Sequence, residues 1–166
     1  MIPVETFRAA LAQFAAGVGI VTTAQGGDRR GVTATAIASV SADPPLVLTC
    51  VNRDTGTFKM IAQAGVFGLN FLDRSLRPLA ETFAGRSGLQ GDARFDDGLW
   101  RTGGSGVPLL QAGATTLDCA VQQIIEAGTH GIVIGRVREA TVRPVDPLLY
   151  HGGDFQTLHA AMRFAS

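Results

Sequence analysis

The sequence predicts a mainly β protein, an antiparallel barrel carrying peripheral helices. Short runs rich in Val, Ile and Thr recur at close spacing, bounded by Gly, Pro and Asp. Helical stretches number only two or three and never alternate regularly with strands, which disfavours a doubly wound parallel sheet. Closing an antiparallel sheet on itself also removes the edges such strands would leave open.

Taken in order, residues 4–16 read as an amphipathic helix, because Phe7, Leu11 and Phe14 recur at helical spacing. Pro3 and Glu5 suit its start and Gly17 its stop. Val18–Thr23 reads as a strand, and the turn Gly26-Gly27-Asp28 leads it into a second strand over 31–41. Pro44 and Pro45 end that strand, and Leu46–Val51 forms a third, buried one. Residues 55–63 read as a helix, 65–71 as a strand and 75–84 as a helix. The stretch 85–113, rich in Gly, Asp and Arg, has little period and holds short irregular strands around Trp100. Two long strands follow, 114–126 and 131–143, joined through Gly128, Thr129 and His130, and Leu148–Gln156 closes the chain.

At 166 residues the chain has the length of one domain, 1–166. With 46% hydrophobic and 17% charged residues it is no disordered chain. Fourteen basic residues balance fourteen acidic ones, so nothing draws it to nucleic acid or to an anionic membrane. So few charges leave apolar surface uncovered, and a buried subunit interface accounts for it economically. Residues 9–27 are uncharged, but Gln13, the glycines and the threonines argue for a helix–strand junction over a membrane span. The N-terminus lacks a basic region and a cleavage site, so the expected location is the cytoplasm. Cys50 and Cys119 are too few for a disulfide scaffold, and no His pair has metal-ligand spacing, His151 and His159 included.

Three segments carry chemistry. In Gly31–Ser41, strand alternation puts Thr33, Thr35, Ile37, Ser39 and Ser41 on one face, and Val32, Ala34, Ala36, Ala38 and Val40 on the other. A face of hydroxyls and small side chains suits a flat ring lying close to the backbone, or simply a solvated edge strand. In Asn52–Thr57, a helix start offers free amides and partial positive charge to a phosphate, with Thr55, Thr57 and Arg53 as further donors. Asp54 or Thr55 acting only as a cap is the other reading. In Gly128–Gly131, His130 sits between glycines at a strand end, reaching a cleft or resting on the surface. Neither a Walker-A pattern nor a Rossmann glycine fingerprint is present, and no nucleophile–base arrangement stands out. Tyr150, the sole tyrosine, packs by default.

Together these segments resemble the flavin reductase family of short FMN-binding split barrels, which includes the reductase components of two-component flavin monooxygenases. The matching pieces are GVTATAIASVSADPPLVLTCVN at 31–52, the helix near Thr57, GVFGLNFL at 65–72, LAETFAG at 79–85, GTHGIVIGRV at 128–137 and PLLYHGGDF at 147–155. The likeness runs from about Thr6 to Gln156. It implies an antiparallel, Greek-key-like split barrel, a homodimer with the flavin near the subunit interface, and reduction of FMN, or FAD, by NADH or NADPH. The absence of a recognisable basic cluster for a 2′-phosphate favours NADH.

Carried onto this chain, the resemblance implies that Thr33, Thr35, Ala36, Ser39 and Ser41 line the ring and ribityl chain, beside Cys50, Val51 and Asn52. It implies that Thr55 and Thr57 hold the phosphate, Phe83 and Ala84 close over the flavin, His130 faces the nicotinamide, and Tyr150 borders the pocket. The reaction implied is hydride transfer from the nicotinamide to the flavin, with the reduced flavin supplied to a partner monooxygenase. Two departures stand out: Thr129 replaces the family's usual Asp beside the histidine, and Thr35 stands where Asn or Ser is commoner. Thr129 keeps open a flavin binder without turnover; relatives of this barrel also suggest a reductase of a bound acceptor such as a corrinoid.

Overall fold

A computed structural model describes residues 2–96, 98–112, 114–144 and 146–158. The ends of the expected unit, Met1 and residues 159–166 with His159, lie outside the described residues. In chain order the elements are α1 (Val4–Ala12), β1 (Ala16–Gly17), β2 (Gly19–Gln25), β3 (Asp28–Ala34), β4 (Ile37–Ala42), β5 (Pro45–Asn52), α2 (Gly56–Ala64) and β6 (Val66–Leu72). After them come α3 (Arg77–Phe83), β7 (Trp100–Thr102), β8 (Pro108–Leu110), β9 (Ala114–Ala127), β10 (His130–Thr141), β11 (Leu148–His151) and β12 (Asp154–Thr157). Short 3-10 turns occupy Arg74–Leu76 and Gly91–Arg94.

Seven strands form one antiparallel sheet in the order β3-β2-β6-β9-β10-β5-β4. Its two edge strands, β3 and β4, are consecutive in the chain, with only Thr35 and Ala36 between them. Ala34 and Ile37 are three residues apart, a span of at most about 10 Å. The opposite edges must therefore meet, and the sheet curls into a barrel with a seam at Thr35–Ala36. A backbone bond across this seam, from the Cys50 amide to the Ala36 carbonyl at 3.0 Å, ties the crossing segment to β5.

Expectation and structure differ here. The single strand read over 31–41 is two strands, broken at the seam and irregular again between Ser39 and Ser41. A break and a bulge each interrupt the two-residue alternation, so its hydroxyls do not share one face. The first helix is shorter than read, ending at Ala12 and leaving Phe14 beyond it. Short strands do flank Trp100 within 85–113, as the sequence suggested.

Side chains from all seven strands converge inside the barrel, among them Val21, Phe67, Leu69, Cys119 and Val133, with Phe58 and Ile61 of α2. Burial pushes the Cys119 thiol up to about 12, so it is inert as a nucleophile at neutral pH. A second cluster covers part of the outer face, where Ile20 and Leu72 meet Phe83, Phe95 and Trp100. These three rings stack edge to face with centroids 4.9–5.5 Å apart. Helix α1 contributes no buried residue, and Phe7, Leu11 and Phe14 on it and just past it are 51%, 57% and 75% exposed.

α2 reaches β10 at Gly131, where an added Cβ would sit 2.1 Å from the Phe58 ring. Gly131→Ala should therefore destabilise the fold by about 1–3 kcal/mol, because the ring has to move out of a packed interior. A urea titration with an unchanged midpoint would show that Phe58 is not wedged there.

Candidate functional site

A groove follows the seam in three connected stretches. The first, a cavity of about 300 Å³, is lined by Arg30, Gly31, Val32, Thr55, Gly56, Thr57, Gln90, Gly91 and Arg94. It lies at the start of α2, whose first amides have no partner within the helix and point outward. Thr55 is the N-cap: its hydroxyl accepts from the Phe58 amide at 3.1 Å and donates to the Asn52 carbonyl at 2.7 Å. The capping reading of Thr55 is thus the one its side chain fulfils, and Gly56 and Thr57, whose amides it leaves open, line the cavity.

Arg30 makes this end cationic. Its side chain passes 3.7 Å from where a Gly56 side chain would begin and 3.3 Å from the same point on Gly91. Both neighbours being glycine leaves room for the guanidinium. A cation at a helix N-terminus is unfavourable unless an anion lies between them, and Arg94 adds a second positive charge. Among the described residues no carboxylate lines this stretch, and the nearest ion-pair partner of Arg30, Asp28, stands back at 3.7 Å. Its chemistry is that of a phosphate cradle.

The 3-10 turn that brings Gly91 and Arg94 to the cavity is fastened by Asp92, whose carboxylate takes a two-pronged bond from Arg29 of β3, 2.6 Å and 3.0 Å long. The Arg29 hydrogen bond holds the Asp92 carboxyl below the usual carboxylate range.

The second stretch, about 290 Å³, shares Val32 with the first and is lined by Thr33, Ala34, Thr35, Ala36, Cys50, Val51, Asn52 and His130. Seven residues singled out from the sequence meet here: Thr33, Thr35, Ala36, Cys50, Val51, Asn52 and His130. β-pairing places His130 opposite Asn52, and Ile132 opposite Cys50, so strand register and not chain proximity unites them. Asn52 accepts from the Asp54 amide at 2.9 Å, and this bond steadies the turn into α2. The Thr33 hydroxyl donates to the Ala80 carbonyl at 2.6 Å, so it braces α3 instead of standing open to the groove.

The third stretch, about 550 Å³ and largely apolar, shares Thr35 and Ala36 with the second and extends to Arg8, Leu11, Phe14, Ala16 and Tyr150. Tyr150 borders the groove, its hydroxyl donating to the Gly153 carbonyl at 2.9 Å.

Other expected residues lie elsewhere. Ser39 and Ser41 are on β4 beyond the seam, outside all three stretches, because the break and bulge turn them away. Phe83 is fully buried against Gly31, Phe95 and Trp100, held inward by the aromatic cluster, and Ala84 sits exposed at the end of α3. Neither lines the groove. Sequence reasoning missed Arg30, Gln90, Gly91 and Arg94, which come from a hairpin and an aperiodic stretch. The adjacent Arg29 and Arg30 were the only local hint.

Residues 11–159 match the family described as "Flavin reductase like domain". The FMN reductase (NADH) RutF of Pseudomonas syringae pv. syringae is 35% identical over 153 residues, covering 92% of this chain and 85% of that protein. Its namesake from Klebsiella pneumoniae is 34% identical over 155 residues, covering 92% and 93% respectively. Among solved structures, BorF, the flavin reductase component of a bacterial two-component tryptophan halogenase, matches with a TM-score of 0.88 at 32% identity, over 96% of this chain and 100% of that one. The NADH:FAD oxidoreductase of Streptomyces globisporus, solved in complex with NAD and FAD fragments, matches with a TM-score of 0.85 at 31% identity, over 97% and 94%.

The Arg29–Asp92 bond sets a pH dependence. A carboxyl whose folded pKa is lowered contributes stability above its ordinary unfolded value, lost as pH falls through the lowered one. The stability difference between the wild type and Asp92→Asn should be constant near neutrality and shrink towards zero in acid. Parallel urea titrations across that range check it; a gap that persists unchanged in acid would count against the bond's contribution.

Proposed function

The chain belongs to the flavin reductase like family and is an NAD(P)H-dependent flavin reductase, and from that premise we propose that a flavin mononucleotide lies lengthwise in the groove. What carries this reading is the order of the three stretches. A cationic, carboxylate-free pocket at a helix start leads into a segment of backbone amides and small polar side chains, then into an apolar recess. That order matches phosphate, ribityl chain and ring.

When bound, the cofactors would supply the chemistry themselves, the reduced nicotinamide as hydride donor and the flavin as acceptor. The protein's task is to orient the two rings and keep water from between them. Thr35 and Ala36, shared by the second and third stretches, lie where ribityl chain meets ring, with the Cys50–Asn52 segment beside the ribityl chain. Gly56 and Thr57 amides, with Arg30 and Arg94, hold the phosphate. His130 stands where the nicotinamide approaches, and NADH is the favoured donor. FAD, which carries the same ring and first phosphate, enters the same groove as an alternative flavin.

We assign the uncovered apolar face of α1, which borders the third stretch of groove, to a second copy of the chain. A homodimer of this kind buries Phe7, Leu11 and Phe14, and it walls the groove on the side that one chain leaves open. The reduced flavin then passes to a flavin-dependent monooxygenase or a related partner; BorF, a component of a two-component halogenase, is the supporting relative. Residues 1–166 act as one domain in this reading. Two free thiols, Cys50 and Cys119, suit the reducing cytoplasm.

Purified protein mixed with NADH and FMN should consume the reduced nicotinamide catalytically; no consumption above a protein-free control would sink the assignment. Arg30→Met should weaken FMN about tenfold and leave riboflavin, which has no phosphate, unchanged. Equal losses for both would place the phosphate elsewhere. Phe7→Glu combined with Leu11→Glu should halve the mass seen in sedimentation; a wild type that sediments as a monomer would dispose of the dimer.

A further inference from the structure

We propose that Thr129 is a positioning residue for His130, its hydroxyl holding Nδ1 of the imidazole so that Nε2 is the edge presented to the groove. This rests on the reading that His130 meets the nicotinamide. The carrying observation is the 2.9 Å contact between Thr129 Oγ1 and His130 Nδ1.

An exposed histidine in a turn ordinarily samples several ring orientations, and each has a different nitrogen facing a given direction. Here the backbone around it is fastened from both sides. The Arg53 amide donates to the Thr129 carbonyl at 3.0 Å, and the Arg53 guanidinium reaches the Gly128 carbonyl at 3.4 Å and the Glu126 carboxylate at 2.6 Å. His130 itself pairs with Asn52 on β5 and with Ala127 on β9. With the main chain held, the side-chain torsions of His130 are the remaining freedom, and the Thr129 hydroxyl restrains them.

A hydroxyl both donates and accepts, so Thr129 can bond Nδ1 in either tautomer of the ring, whereas an ionised carboxylate can only accept. In either case the contact engages Nδ1 and leaves Nε2 for the groove, where a carboxamide offers both an accepting oxygen and a donating nitrogen. An acidic residue at position 129 would demand Nδ1–H and so restrict Nε2 to accepting.

The test uses the full-length chain and four variants: Thr129→Val, Thr129→Ser, His130→Ala and the Thr129→Val/His130→Ala double. Thr129→Val, which keeps the shape and loses the hydroxyl, should raise the KM for NADH about three- to tenfold, the usual worth of one hydrogen bond. FMN affinity, read by fluorescence quenching, should stay within about twofold; the same reading shows that each variant has folded. Thr129→Ser should restore the wild-type KM, and Thr129→Val should add nothing in the His130→Ala background. The proposal is overturned if Thr129→Val leaves the KM unchanged, if Thr129→Ser is as impaired as Thr129→Val, if FMN affinity falls in step, or if the valine substitution costs as much without His130 as with it. Should His130→Ala itself leave NADH kinetics untouched, the placement of His130 at the nicotinamide falls first and the proposal with it. A damaging His130→Ala beside a silent Thr129→Val refutes Thr129 alone.

Discussion

Two residues, Thr35 and Ala36, join the opposite edges of a seven-stranded sheet, and this short connection shapes the molecule. A longer link would let the sheet remain open; a link of two residues forces its edges together. The sheet closes as a barrel, yet β3 and β4 do not pair with each other, and the seam between them leaves a groove with exposed backbone. The ligand-binding surface is therefore a consequence of how the barrel closes. Small side chains at the seam keep that backbone reachable.

Electrostatics then gives the groove a direction. At one end the amides of α2, Arg30 and Arg94 concentrate positive potential in a lining without a carboxylate, Asp28 standing behind Arg30 at 3.7 Å, and at the other Leu11, Phe14 and Tyr150 make an apolar recess. A ligand with an anionic tail and a flat, weakly polar head can enter in only one orientation. Asp92 supports this at a distance from the groove, since its bond to Arg29 keeps the Gly91–Arg94 turn against β3. The acidic residue acts by placing basic ones.

Much of this was readable in the chain. The antiparallel β class, the helix after Asn52, the short strands about Trp100 and the long β9–β10 pair followed from periodicity and turn residues. Thr35, Ala36, Cys50, Val51, Asn52, His130 and Tyr150 come together along one groove. Ser39, Ser41 and Phe83 lie outside it, because the break at the seam, the bulge before Ser41 and the pull of the Phe95–Trp100 cluster are not visible to strand alternation. Thr33 lines the groove, with its hydroxyl turned to the Ala80 carbonyl.

What the sequence determined by itself was local: which segments are strands, where α2 begins, and which residues could cap it or contact a phosphate. Those follow from neighbours a few positions apart, whose spacing sets periodicity and turn geometry. Tertiary structure alone decided that His130 lies opposite Asn52, that Arg30 and Arg94 converge on one helix start, and that the hydroxyl ribbon divides between two edges. Each of these depends on pairing between segments dozens of residues apart. Register and closure are properties of the whole sheet, and no short window of the chain contains them.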